Sequence, residues 1–308
     1  MGQTITVAQD REFSTDSTVV PREVARGVYI ERAPTAQGLK LLLLLIGTAG
    51  GRMGDDVQHE LRLADLKAIP GIKNHSRETM RALFVELRGA VMVYEDAITK
   101  DEIIGGFVDE MRVTGQHGDS GDLYVRWWFG RTFRRIAAES NHWAIIDRQT
   151  AFALRSKFAI LLFQHVSSLV NLNHVASKVF SIDELRAVLG VDVNKLTRWS
   201  DLRRFALDPA ISEISQLSRF ALTYTLQKTG RNVVRVVVAW EVKDDLRGTR
   251  RELDHSKVGR KARREGRGET IVPGAVDMPP FPSRGGFTYS PEWGALFKST
   301  WSELGRPH

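Results

Sequence analysis

The segment Ile182–Val191 reads I-D-E-L-R-A-V-L-G-V. Its apolar positions recur at helical spacing, and Gly190 stands just past the pattern, where a left-handed residue ends a helix. Ser181 and Glu184 supply the S-x-x-E spacing of a capping box at the helix start. An echo lies earlier in the chain. Leu63–Ile72 reads L-A-D-L-K-A-I-P-G-I, which sets Asp65 against Glu184, Leu66 against Leu185, Lys67 against Arg186, Ala68 against Ala187 and Gly71 against Gly190.

The segments after the two glycines also match. A second helical pattern runs from about Ser76 to Leu87 in the first copy and from about Thr197 to Ile214 in the second. Allowing for unequal turns, Met80 falls on Leu202, Arg81 on Arg203 and Leu83 on Phe205. Extended segments come next: Val91–Ala97, Ile103–Val113 and Leu123–Phe129, then Phe220–Leu226 and Val233–Val242. Gln116–Asp119 and Thr229–Asn232 are the turns between them. Helix, turn, helix and hairpin is the order of a winged helix, whose second helix enters the major groove. The expected fold is α+β, a tandem pair of winged-helix domains. Leu154–Val170 is read as the opening helix of the second, equivalent to Leu39–Thr48 in the first, and Arg131, Arg134 and Arg135 begin a basic helix between them.

In the second copy, Trp199, Leu202, Ala206, Ala210 and Ile214 share one helical face, with Phe205 and Leu217 flanking it. Pro209 cannot donate a backbone hydrogen bond, so the helix should kink or restart near Leu207. Lys195, Thr197, Arg198, Ser200, Arg203 and Arg204 crowd the first half, where a recognition helix meets base edges and phosphates. Arginine suits bidentate contact with guanine. A solvated amphipathic helix in isolation shows the same pattern; the winged-helix frame favours DNA. In the first copy the candidates are Asn74, Ser76, Arg77 and Arg81, with Arg88 beyond them. Glu78 has two readings, as acceptor from cytosine N4 or as partner of a nearby arginine. Lys228 and Arg231 stand at the expected wing tip, over a phosphate or the minor groove.

Composition agrees. The 308 residues allow about two domains, and 42% are apolar. The longest apolar run, Leu41–Ile46, is far short of the ~18 residues of a membrane helix, and no signal pattern opens the chain. The expected compartment is the cytoplasm, without membrane contact. There is no cysteine, which excludes disulfides, thiol nucleophiles and Cys-ligated metals. The net charge of +7 fits a nucleic-acid partner. Gly47–Gly54 is glycine-rich but fits neither the P-loop nor the dinucleotide fingerprint, and reads as a loop between helix and strand. The histidines form no close pair, with His142 and His165 read as packing or surface residues, and Asp55-Asp56 reads as a solvated loop. No enzyme activity, cofactor or metal is expected.

The second half also carries a family resemblance. Phe152–Phe163, Phe180–Val191 and Arg198–Ile214 resemble the iteron-binding plasmid replication initiators, the Rep proteins, which carry two winged-helix domains. The resemblance is specific over Phe152–Val242 and looser over Leu39–Phe129, where the turn before Ser76 departs from the second copy. It implies monomers that bind directly repeated origin sites in double-stranded DNA, help open the adjacent AT-rich duplex and recruit the host initiator and replicative helicase. It also implies dimers, joined through the first domain, that repress their own promoter. It assigns most base reading to Arg198–Arg204. A dimeric winged-helix transcriptional repressor without replication activity shares every DNA-contact feature.

The domain plan is then a flexible segment over 1–35, a first winged helix over 36–138 for dimerisation and phosphate contact, a second over 139–245 for iteron recognition, and a tail over 246–308. Lys and Arg dominate Leu246–Gly268, which reads as a basic linker, either adding salt-sensitive DNA affinity or simply solvated. Ser290-Pro291-Glu292 starts a short helix with an apolar stripe of Trp293, Leu296, Phe297 and Trp301.

Overall fold

The computed structural model describes residues 2–11, 16–26, 29–31, 33–62, 77–95, 99–114, 124–170 and 175–257. The chain opens with α1 (Gln3–Asp10), β1 (Ser17–Pro21), α2 (Arg22–Ala25) and β2 (Tyr29–Glu31). Next come α3 (Ala36–Ala49), β3 (His59–Arg62), α4 (Arg77–Gly89), β4 (Val91–Glu95), β5 (Glu102–Gly106), β6 (Val108–Thr114) and β7 (Tyr124–Phe129). A middle group holds α5 (Arg131–Glu139), β8 (Trp143–Asp147) and α6 (Arg148–Ala153). The second half holds α7 (Lys157–Val170), β9 (Ser177–Ser181), α8 (Ile182–Val188), α9 (Trp199–Leu202), α10 (Asp208–Leu217), β10 (Phe220–Thr229), β11 (Asn232–Val242) and α11 (Arg247–Lys257).

The two halves share one topology. In the second half an apolar helix, α7, leads into the antiparallel sheet β10-β11-β9. In the first half α3, of the same 14-residue length, leads into the sheet β3-β7-β6. In each sheet the last strand in sequence lies between the other two, as in a winged helix. The fold is α+β, a tandem pair of winged-helix domains. The first copy carries one addition, a hairpin β4-β5 that pairs with β2 in a separate sheet.

That hairpin corrects the reading of Ile103–Val113 as one extended segment. The chain turns at the fully buried Phe107, so β5 and β6 belong to different sheets. Three further expectations are revised. The basic linker expected from Leu246 is helical over Arg247–Lys257, and Leu253 on that helix is buried. The glycine-rich stretch is not wholly loop: α3 continues through Ala49, and a single 3-10 turn covers Gly50–Arg52. Residues 1–35 do not read as a flexible segment where they are described. There β1 pairs along its whole length with β8, and Ile5 and Ala8 of α1 enter the core. Leu63–Ile72, Asn74 and Ser76, the turn Gln116–Asp119 and the terminal helix expected after Ser290 lie outside the described residues.

Residues 1–260 form one compact unit, and polar contacts tie its halves. The ammonium of Lys40 on α3 is buried and donates to the Phe152 carbonyl at 2.6 Å. Burial pushes its pKa down to about 8, with Glu213 pulling the other way. Glu213 of α10 accepts from the backbone N–H of Arg155 at 2.6 Å and of Ser156 at 3.3 Å, just before α7 begins. Ser156 is the N-cap, its Oγ accepting from the Phe158 N–H at 3.2 Å, so α7 starts at Lys157 rather than Leu154, and the Glu213 carboxylate complements that helix end. Among the described residues, no helix is long and apolar enough to cross a membrane.

Two histidines are held neutral by the core. His165 of α7 is buried, with Nδ1 at 2.9 Å from the Arg26 carbonyl, so Nδ1 carries the proton. His59 of β3 packs between Trp127 and Phe129, with ring centroids 5.4 and 5.3 Å away. Burial pushes both down to about 4. The unfolded rings take up protons near 6.5 and the folded ones do not. Stability is therefore full above pH 6.5 and is lost as pH falls toward 4. Thermal melts should show Tm falling through this window, with a shallower fall for His165→Asn, which keeps a donor but cannot titrate. A Tm independent of pH between 7.5 and 4.5 would contradict this.

Candidate nucleic-acid interface

The second winged helix builds its presenting turn with three devices. The first is the capping box expected at α8: Ser181 Oγ accepts from the Glu184 N–H at 3.1 Å, and Glu184 Oε2 accepts from the Ser181 N–H at 2.7 Å. These bonds hold the Glu184 carboxyl below its usual range, favouring its ionised form. The second is the helix end. Gly190 has φ +61°, its N–H reaches the Ala187 carbonyl and the Val191 N–H reaches that of Arg186, the paired bonds of a Schellman motif.

The third device is one the sequence reading missed. The guanidinium of Arg186 donates to four carbonyls of the following turn: Leu196 at 2.5 Å, Lys195 at 2.6 Å, and Asp192 and Val193 at 3.2 Å each. Leu196, the residue before the candidate contacts Thr197 and Arg198, has φ +47°, a left-handed conformation costly for a branched side chain. Arg186 fastens the carbonyl of that strained residue. The sequence carried one signal: a cation recurs at this place in the echo, Lys67 opposite Arg186.

The candidate recognition segment is helical from Trp199 to Leu217 but not uniformly α. Residues Arg203–Leu207 form a π turn between α9 and α10, and α10 begins at Asp208 with Pro209 in its first turn. The expected restart near Leu207 is therefore present. Leu202, Ala206, Ala210 and Ile214 are fully buried. Phe205 is the exception to the predicted stripe: it is 54% exposed, because the wider turn points Ala206 and Leu207 inward together. The Arg204 guanidinium lies over its ring in a cation–π contact, 5.3 Å from the centroid.

Lys195, Thr197, Arg198, Ser200, Arg203 and Arg204 are all exposed. Arg203 Nε lies 3.6 Å from Asp208 Oδ2, and the other carboxylate oxygen accepts from Tyr224 Oη at 2.7 Å, joining the helix to β10. β10 and β11 run past β9, which pairs only with Arg235–Ala239, so the far end of the hairpin projects as a wing. Its tip is a two-residue turn with Gly230 at φ +60°, and Lys228 and Arg231 beside it are exposed.

The first copy is less complete. Met80 is buried and Arg81 exposed, matching Leu202 and Arg203, but Leu83 is buried where Phe205 is not. Arg81, Phe84, Val85 and Arg88 line a groove of about 540 Å³ facing Asp109, Glu110 and Met111 of β6. Arg77 lies on α4, and its side chain is outside the described residues. Among the described residues no cluster of three His, Asp or Glu side chains is arranged to hold a metal.

Comparison with known proteins bears on this interface. Residues 181–240 match Rep3_C, the second winged helix of initiator Rep proteins. Over that stretch the chain is similar to that domain. The fold is similar to that of the Pi initiator protein, solved in complex with iteron DNA: TM-score 0.56, 15% identity, covering 75% of this chain and 99% of that one. Domains 2 and 3 of RctB align with TM-score 0.39 and 11% identity over 67% of this chain and 80% of that one. No curated protein sequence matches the chain.

Charged hydrogen bonds are worth about 1.5–3 kcal/mol each in net terms. Three of the four bonds from Arg186 are solvent-exposed, so Arg186→Met should cost about one such bond, roughly 2 kcal/mol in denaturant unfolding, and speed amide exchange across 192–198. Unchanged exchange in that turn would show that Arg186 does not hold it.

Proposed function

We propose that this chain is a plasmid replication initiator that binds repeated origin sequences in double-stranded DNA. The observation that carries the reading is the duplicated topology, each copy presenting a helix with arginines outward, combined with the initiator Rep match over the second copy. Two such modules in one chain suit two adjacent stretches of one duplex face. Lys195, Thr197, Arg198, Ser200, Arg203 and Arg204 read or flank bases from the second domain, and Lys228 and Arg231 touch phosphate or minor groove. Arg77 and Arg81, with Asn74 and Ser76, anchor the first domain on the backbone.

The protein acts by binding and holding DNA in the cytoplasm, not by catalysis. Opening of the neighbouring AT-rich duplex, recruitment of host initiator and helicase, and dimeric repression of its own promoter belong to the same reading. In the structure of the Pi initiator the bound DNA is an iteron, which favours repeated sites here.

Footprinting on DNA flanking the protein's own gene, at a stated near-physiological salt, should protect several direct repeats spaced by whole helical turns. A single protected inverted repeat would replace the initiator by a repressor, and no specific protection would overturn both. Removing Lys228 and Arg231 should weaken binding evenly across sequences and lower the slope of log K against log salt by about 1 per side chain. A slope equal to wild type would place the wing off the DNA.

A further inference from the structure

The π turn does more than accommodate Pro209. In an α-helix, residues five apart point about 140° away from one another. In the turn Arg203–Leu207 the Asp208 N–H bonds to the Arg203 carbonyl, an i to i+5 bond. That bond stacks residues 203 and 208 on one stripe, and their side chains meet at 3.6 Å. Asp208 is in turn anchored by the Tyr224 hydroxyl at 2.7 Å, from a strand of the sheet rather than from the helix itself. Half of the Arg203 side chain is exposed, so the pair is a surface one whose Coulomb contribution to stability is small. Its value lies in geometry.

We propose that Asp208 and Tyr224 are positioning residues for Arg203, orienting its guanidinium to read one guanine of the target duplex. This rests on the functional reading above and narrows it to one side chain and one base. The ion pair approaches Arg203 on its Nε side, at 3.6 Å longer than a hydrogen bond, and leaves the two terminal amino groups for an acceptor pair, which guanine offers as O6 and N7 in the major groove. An unanchored arginine spreads over many rotamers and loses that ordering entropy on binding. Tyr224 is itself oriented by donating to Asp208. The burial of its ring and the Asp208 carboxylate raise its pKa to about 12, so it remains a donor across the working pH range.

The test uses the full chain and the duplex protected in the footprint, with each guanine replaced in turn by 7-deazaguanine, which lacks only the N7 acceptor. Wild-type protein should lose about tenfold or more in affinity at one guanine per repeat. Arg203→Ala should bind more weakly and be indifferent to the substitution there. Tyr224→Phe and Asp208→Asn should each reduce the sensitivity at that guanine several-fold, while salt slope, Tm and the response at other guanines stay at wild-type values. Arg203→Lys should not restore it. If Tyr224→Phe and Asp208→Asn retain the full wild-type sensitivity, the positioning role is wrong. If no guanine shows an Arg203-dependent effect, Arg203 does not read guanine. Absence of any specific complex would instead overturn the functional reading beneath both.

Discussion

Gly190 is where the fold and the interface meet. Its positive φ closes α8, and a side chain there would have nowhere to go: an added Cβ would lie 2.5 Å from Leu161 Cδ1 and 2.7 Å from Ala33 Cβ. Leu161 belongs to α7, the opening helix of the second winged helix, and Ala33 leads into α3 of the first. The helix-turn-helix corner of one domain is thus pressed against the entrance to the other. Close packing of this kind transmits displacement rather than absorbing it. Gly190 thus serves both the local turn and one contact between the domains.

From that corner outward, each device constrains the next. The Schellman end of α8 releases the chain into a turn, Arg186 gathers four of the turn's carbonyls, and Leu196 is held in a strained conformation that starts α9. The π turn then sets Arg203 beside Asp208, and Tyr224 joins the helix to the wing strand. Arg203 gains position from Asp208 and Tyr224 behind it, and Arg204 lies over the Phe205 ring. This differs from a flexible basic surface, where charge alone brings affinity without register.

Much of this was legible from residues. The echo between Leu63–Ile72 and Ile182–Val191 announced a duplicated domain, the S-x-x-E spacing announced the capping box, and Pro209 announced a break in the helix. The features that stayed hidden depended on long-range contact or on backbone detail. Nothing local says that Arg186 will reach carbonyls up to ten residues onward. Nothing in the spacing of Phe205 shows that a π turn will rotate it outward. The β4-β5 insertion was missed because Ile103–Val113 was read as one extended segment across Gly105-Gly106, although that glycine pair, just before the buried Phe107, marks the break. The packed N-terminal strand was missed because its partner, β8, lies more than a hundred residues away.

The central claim is that the two winged helices engage successive stretches of one duplex at the same time. The chain has no cysteine, so a single introduced one can carry a DNA-cleaving iron chelate without background labelling. Ala82→Cys on α4 and Val193→Cys in the turn before α9 are exposed sites for it. With the chelate at each site in separate proteins, the account predicts two cleavage centres within every protected repeat, about one helical turn of roughly 10 base pairs apart. Cleavage from the Val193 position alone, with none from Ala82, would show that the first domain stands off the DNA and contradict the account.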